Sequence, residues 1–391
     1  MSELKDFIYS IPTTVYFGKD QTGNIGSEVA SHGKKVLIVY GGGSVKKIGL
    51  FDKVVAELDK AGIAYVEFGG VEPNPRIDTV RRAVEVCKKE GIDVIMPIGG
   101  GSTIDAAKLI AAGAKVDFDP WLFVSEYRPI SEALPIVVVL TVAATGSEMD
   151  AIGVISNPET QDKLAFASPA VRPKAAFLDP TNTFTVSKFQ TASGAADIFS
   201  HVCEDYFNME PGLYMLDCFM EGLMKTVIKY GPIALAEPDN YEARANLMWA
   251  ASWAINGFTK GGNNNTWCCH AIEHELSAIY DVTHGLGLAI VTPRWMEYSL
   301  TEENASKFAS FGVNVFGIDA SLPEMEIAKK AIEATSDFFF NKLGLQSHLK
   351  DIGIDETNLR VMAEKSCRYG GLPGIKLLLA DDVEQILKNC L

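Results

Sequence analysis

The sequence has no C-x-x-C pair, no G-x-G-x-x-G fingerprint and no apolar run long enough to span a membrane. Its seven cysteines are Cys87, Cys203, Cys218, Cys268, Cys269, Cys367 and Cys390. They are odd in number and scattered, which argues against a disulfide framework and fits a reducing cytoplasm. The purely apolar run "IVVVL" before Thr141 is strand-length, far short of a bilayer span, so no membrane partner is expected. The start, "MSELKDFIYS", lacks the apolar segment of a secretory leader. Positive charge is also scarce: 35 basic against 50 acidic residues leave a net charge of −15. Such a surface repels phosphate backbones and excludes nucleic acid as a partner. Any phosphate this chain binds must be held by local geometry.

What is present is the material of two domains. The chain has 391 residues, 47% of them hydrophobic and 22% charged, ordinary for a folded protein with ample core. In the first half, strand-like runs alternate with helical patterns. "KVLIVY", "AYVEF", "DVIMPI", "PIVVVLT" and "AAFLD" read as strands, with "IGLFDKVVAELDKAG", "IDTVRRAVEVCKKEG" and "STIDAAKLIAAGA" as helices between them. This alternation predicts βαβ units around a parallel, Rossmann-like sheet. Near residue 187 the pattern becomes helical throughout, with breaks at "EPDN" and "KGGNNN". The expected architecture is an α/β dinucleotide-binding domain over 1–187 and an all-α metal- and substrate-binding domain over 188–391.

Three turns in the first domain suit a phosphate. Gly41-Gly42-Gly43-Ser44 and Gly99-Gly100-Gly101-Ser102 each follow a strand and precede a helix, and "VAATGSE" (142–148) follows a third strand. Glycine lets the backbone approach a phosphate, and a helix start offers free N–H groups. A lone turn of this kind is often only a tight βα connection; three in one sheet favour a dinucleotide.

The second domain holds four of the six histidines in two segments. "ASGAADIFSH" places Asp197 and His201 four apart on a predicted helix, and "CCHAIEHELSAIYDVTH" carries His270, His274 and His284. Residues four apart share a helix face. Asp197, His201, His270 and His284 together would supply three imidazoles and one carboxylate, a set for Fe²⁺ or Zn²⁺ rather than Mg²⁺ or Ca²⁺. The competing reading is a surface helix with titrating histidines. Cys268 and Cys269 invite a structural-zinc reading, but adjacent residues project about 100° apart on a helix, so packing is favoured for both. His32 and His348 stand alone and read as solvated or structural.

These segments resemble the iron-containing (group III) alcohol dehydrogenases, whose fold is dehydroquinate synthase-like. "PTTVYFG", "GGGSTIDAAK", "TVAATGSE", "FLDP", "ASGAADIFSH" and "HAIEHELSAIYDVTHGLG" match the family's motifs in order along essentially the whole chain. "YGGGSVKKIG" and "VEPNP" look most like the butanol dehydrogenase subgroup, broad aldehyde reductases using NADPH or NADH. The resemblance implies interconversion of primary alcohols and aldehydes by hydride transfer, with Asp197, His201, His270 and His284 as metal ligands. It makes His274 a neighbour of the metal and a candidate catalytic proton relay. Gly100, Gly101, Ser102 and Asp105 match the pyrophosphate turn. Thr141, Thr145, Ser147 and Lys163 match further cofactor contacts, and Asn74 of "VEPNP" joins Gly41, Gly42, Gly43 and Ser44 in the cofactor set. Ser187 departs from the proline common in the family, and a homodimer is expected.

The turn Gly41–Ser44 has no carboxylate to repel a 2′-phosphate, and Lys46 and Lys47 follow it. NAD-selective sites commonly place an acidic residue there, so NADP(H) is expected to be preferred over NAD(H). Two rival readings are a dehydroquinate synthase-like lyase and a non-catalytic nucleotide-binding protein. The lyase would need a basic substrate pocket, and "NNNTWCCHAIEH" contains no lysine or arginine.

Overall fold

A run that is apolar on both faces is stable only where both faces are covered, and among the strands of the first half the central ones meet that condition. In the computed structural model, which describes residues 5–262 and 267–391, six of them form one parallel sheet. They are β1 (Thr14–Phe17), β2 (Lys35–Tyr40), β3 (Ala64–Phe68), β4 (Val94–Gly99), β5 (Val137–Leu140) and, after a hairpin, β8 (Ala175–Leu178), in the order β1-β8-β5-β4-β2-β3. Alternate residues enter opposite layers. Leu37, Val39, Ile95 and Val138 pack with helices Ile77–Glu90 and Gly101–Gly113. Val36, Ile38, Met96 and Val139 pack on the other side with Leu50, Val54 and Leu58 of helix Leu50–Lys60. The parallel sheet expected from the sequence is therefore present, with every residue of β4 buried.

Two features of this unit were not read from the sequence. β6 (Ile152–Asn157) and β7 (Asp162–Ala167) form an antiparallel hairpin closed by "PETQ". Beneath it the ammonium of Lys108 is fully buried, donating to Ser147 Oγ (2.8 Å) and the Ile152 carbonyl (2.6 Å) and paired with Asp150. Such a buried charge needs this complete set of acceptors.

The compact units do not divide at one point in the chain. One comprises Ser10–Val186 with Pro238–Ser252; the other takes in Ser187–Glu237 and Trp253–Leu391. Residues 238–252, placed by sequence in the helical half, thus group with the sheet. Trp249 meets Phe17 edge-on at 5.6 Å, Lys19 lies over the Tyr241 ring, Met248 joins the sheet core, and Ser252 donates to buried Glu148. Tyr9 groups instead with the helical unit, its ring 5.7 Å from that of Phe258. The "NNN" of the predicted break, Asn263–Asn265, and Thr266 lie outside the described residues. Among the described residues no helix is long and apolar enough to cross a membrane.

The helical unit is built round helix Lys188–Tyr206, buried without a break from Thr191 to Tyr206. Ser187 caps it: its Oγ accepts from Gln190 N (3.2 Å), and its φ of −59° is one that proline would also adopt. Departure from the family's proline thus keeps the backbone angle and adds a cap. Helices Cys268–Tyr280 and His284–Ser299 pack near this central helix. The last comes closest at Gly285, where a Cβ would stand only 2.0 Å from the Ser193 carbonyl oxygen. Backbone cannot give way as a flexible side chain can. Gly285→Ala should therefore cost at least the roughly 1–3 kcal/mol of an overpacked core, seen as a lower thermal midpoint by circular dichroism; an unchanged midpoint would contradict this account of the contact.

Candidate metal centre and dinucleotide turns

Helix Lys188–Tyr206 buries charged and polar side chains along with apolar ones: Asp197, Ser200, His201, Glu204 and Asp205 are each at most 2% exposed. Asp197, His201 and Glu204 recur at helical spacing and so share a face. Three imidazoles surround the Asp197 carboxylate. His201 Nδ1, His284 Nε2 and His270 Nε2 lie 3.5, 3.7 and 3.9 Å from the same oxygen, Asp197 Oδ1. The rings of His201 and His270 stack at 4.5 Å, and those of His270 and His284 stand 5.1 Å apart.

These distances are too long for hydrogen bonds. They match ligand separations instead: two atoms each about 2.1 Å from a tetrahedral ion stand about 3.4 Å apart. His201 Nδ1 is buried with no hydrogen-bond partner among the described residues, a costly arrangement unless something else meets it. Burial, which disfavours the charged ring, holds the His201 pKa well below its ordinary value and favours the neutral imidazole that ligation needs. The residues present thus fit a divalent transition metal.

Among the described residues, Asp197, His201 and His270 form one donor group and Glu273, His274 and His284 form a second. His284 stands between them, with Nε2 toward Asp197 and Nδ1 bonded to Glu273. His274 is half-buried, its ring 5.7 Å from that of His284. Sequence spacing alone pairs His270 with His274; the fold turns His270 to Asp197 and leaves His274 beside His284.

Cys268 and Cys269 are both buried. Cys268 Sγ faces the carbonyls of Leu372 and Pro373, and desolvation raises the Cys269 thiol well above its usual pKa. Neither belongs to a donor group among the described residues. Trp267 lies against His201 and His270, with ring centres 5.0 and 4.8 Å away, and its Nε1 donates to Asp205 (2.9 Å).

In the sheet unit, the turn after β4 comes within close range of the turn after β5. A Cβ on Gly101 would stand 2.4 Å from Thr145 Oγ1, so any side chain there would displace Thr145. Helix Gly101–Gly113 begins at this turn, presenting N–H groups beside Gly100 and Ser102. Asp105 and Ser147 are committed to the protein: Asp105 accepts from Ser147 Oγ (2.6 Å) and from Val154 N (2.9 Å). Burial raises the Asp105 pKa, opposed by Lys108. Thr141 donates its N–H to the Gly99 carbonyl (3.0 Å), Lys163 is buried on β7, and Asn74 adopts a left-handed φ of 51°.

At the turn after β2, Gly42 faces open space. Here a carboxylate arrives from the neighbouring strand: Glu67 of β3 pairs with Lys46 (2.5 Å) and accepts from Tyr40 OH (3.1 Å). The Lys46 ammonium holds Glu67 below the usual carboxylate range. A carboxylate-free turn in sequence therefore has one beside it in space.

Family models complete the assignment. That described as iron-containing alcohol dehydrogenase matches residues 12–180, and its C-terminal counterpart matches 191–391. The chain belongs to the iron-containing alcohol dehydrogenase family. It is 51% identical to NADH-dependent butanol dehydrogenase B of Clostridium acetobutylicum, over 98% of this chain and 99% of that protein. It is 38% identical to an NADPH-dependent aldehyde reductase of Escherichia coli, over 94% of each. The crystal structure of NADH-dependent butanol dehydrogenase A from Thermotoga maritima matches it with a TM-score of 0.94 at 39% identity, covering all of both chains.

For this member of the iron-containing family, sequence reading missed Glu204, Glu273 and Glu67. The first two had a signal: each lies three residues after a histidine, on His201 and His270 respectively. Glu67 had none, because its neighbour is set by strand pairing. With His270 at the centre of the donor group, His270→Ala should purify with about one equivalent less metal. Cys268→Ala and Cys269→Ala should keep theirs, as read by elemental analysis. Full metal in the His270 variant, or metal loss in either cysteine variant, would reverse the assignment.

Proposed function

We propose that this chain interconverts primary alcohols and aldehydes of about butanol size with a nicotinamide dinucleotide, at a divalent metal held by Asp197, His201, His270 and His284. The observation that carries this reading is the convergence of three imidazole nitrogens on one buried carboxylate oxygen. The names of the similar proteins, butanol dehydrogenase and aldehyde reductase, support the same chemistry. Held there, a divalent ion such as Fe²⁺ or Zn²⁺ would supply polarisation of the substrate oxygen, and a bound dinucleotide would supply the hydride. The protein's part is to bind and orient. Gly100, Gly101 and Ser102 receive the pyrophosphate at a helix start, and Trp267 gives the histidine cluster an apolar wall. His274, half-buried at the edge of the cluster, moves the proton between substrate oxygen and solvent. A homodimer is part of the reading and rests on the family alone.

The finer question is which dinucleotide is preferred. Open space at Gly42, with Lys46 and Lys47 nearby, favours NADPH. The pairing of Lys46 with Glu67 works against it, and the names of the relatives divide between the two cofactors. The reading is therefore use of both, with any NADPH advantage limited by Glu67. The test is turnover of an aldehyde panel with NADH and NADPH after reconstitution with Fe²⁺ or Zn²⁺; no reduction of butanal with either cofactor would overturn the function. Glu67→Gln should raise kcat/KM with NADPH relative to NADH, and Gly42→Asp should lower it. Ratios unchanged in both variants would remove the turn from cofactor selection. His274→Ala should retain its metal yet lose roughly 10²–10⁴-fold in turnover, the range of general acid–base catalysis, with an altered pH profile. Metal loss would instead make His274 a ligand.

A further inference from the structure

Two buried carboxylates outside the four-residue set reach the imidazoles from behind. Glu204, 2% exposed, bonds His270 Nδ1, and its oxygens also accept the backbone N–H groups of Cys269 (2.5 Å) and His270 (3.2 Å). Glu273, fully buried, bonds His284 Nδ1 and the Ser277 hydroxyl. Its stem is held by the next helix: a Cβ on Gly287 would stand 2.7 Å from Glu273 Cγ. The supports are staggered. Helix Lys188–Tyr206 supplies the carboxylate for His270, and helix Cys268–Tyr280 supplies the one for His284.

A carboxylate only accepts, so the ring nitrogen facing it carries the proton and the other keeps its lone pair. In both rings the other nitrogen is Nε2, the atom turned toward Asp197 Oδ1 at 3.9 and 3.7 Å. We infer that Glu204 and Glu273 are positioning residues that fix His270 and His284 as Nδ1–H tautomers, with the Nε2 lone pairs directed at the cation. The inference rests on the reading that Asp197, His201, His270 and His284 hold the metal. It also assigns Glu273 a role other than ligand to a second ion with His274 and His284. Loss of such a support typically costs 10–100-fold in metal affinity, because the other tautomer competes and the ring is free to turn.

The test is Zn²⁺ affinity of the full chain, measured by competition with a chromophoric chelator. Glu204→Gln and Glu273→Gln should each raise Kd by about 10–100-fold while still binding one equivalent at saturation. Glu275→Gln is the control: it weakens the ion pairs of buried Glu275, on helix Cys268–Tyr280, to half-buried Lys365 and Arg368 without touching an imidazole, and its Kd should equal wild type. Wild-type Kd in both histidine-supporting variants, or equal weakening in Glu275→Gln, would overturn the inference. So would two equivalents in wild type with one lost in Glu273→Gln. Wild-type affinity in His270→Ala would instead show that the four-ligand reading has failed. Because a glutamine at either buried site can impair folding, wild type carries a second test. Imidazole ¹⁵N shifts of the zinc-loaded protein should report Nδ1–H for His270 and His284; Nε2–H in both would overturn the inference.

Discussion

The Asp197 carboxylate buried among three imidazoles is the constraint on which the helical unit depends. A carboxylate taken out of water is expensive unless its charge is offset, and the three imidazole nitrogens stand 3.5, 3.7 and 3.9 Å from one of its oxygens, the spacing of ligands about a common ion. On the proposed reading, a divalent cation would serve all four groups at once. It would offset the carboxylate charge, meet imidazole lone pairs and link three helices through their side chains. Metal binding and the stability of this unit are then coupled, as they are wherever ligands are buried before the ion arrives.

The surroundings follow from that requirement. Gly285 lets the His284 helix approach the backbone of the Asp197 helix closely. Glu204 both accepts the first backbone N–H groups of helix Cys268–Tyr280 and holds one ring of the cluster. Burial pushes the Glu204 pKa up to about 8, opposed by those same N–H groups. A cation on the far side of His270 would act in the opposite sense and favour the carboxylate. The sheet unit solves a different problem, presenting backbone rather than charge. Turns such as Gly99–Ser102 offer the free N–H groups of a helix start, with Lys108 spent internally on Asp150 and Ser147.

Much of this was legible in the sequence because it is local. Strand runs that alternate with amphipathic helices specify a parallel sheet, and a histidine four residues after an aspartate specifies a shared helix face. The division of the chain was less legible. Residues 238–252 have a helical period that says nothing of which core they join; Trp249 and Met248 decide that by packing with the sheet unit. The partner of Lys46 was hidden for the same reason, since Glu67 meets it only once β3 lies beside β2. His270 and His274 show the limit of periodicity most directly: one stretch of helix carries both, yet only His270 faces Asp197.

The central claim is that one divalent ion sits among Asp197, His201, His270 and His284. Diffraction from crystals of the zinc- or iron-loaded protein, collected at the metal's absorption edge, tests it most directly. The account predicts a single anomalous peak within about 2.0–2.2 Å of Nε2 of both His270 and His284, with Asp197 and His201 completing the shell. A peak between Glu273 and His274, or at the sulfurs of Cys268 and Cys269, would contradict it.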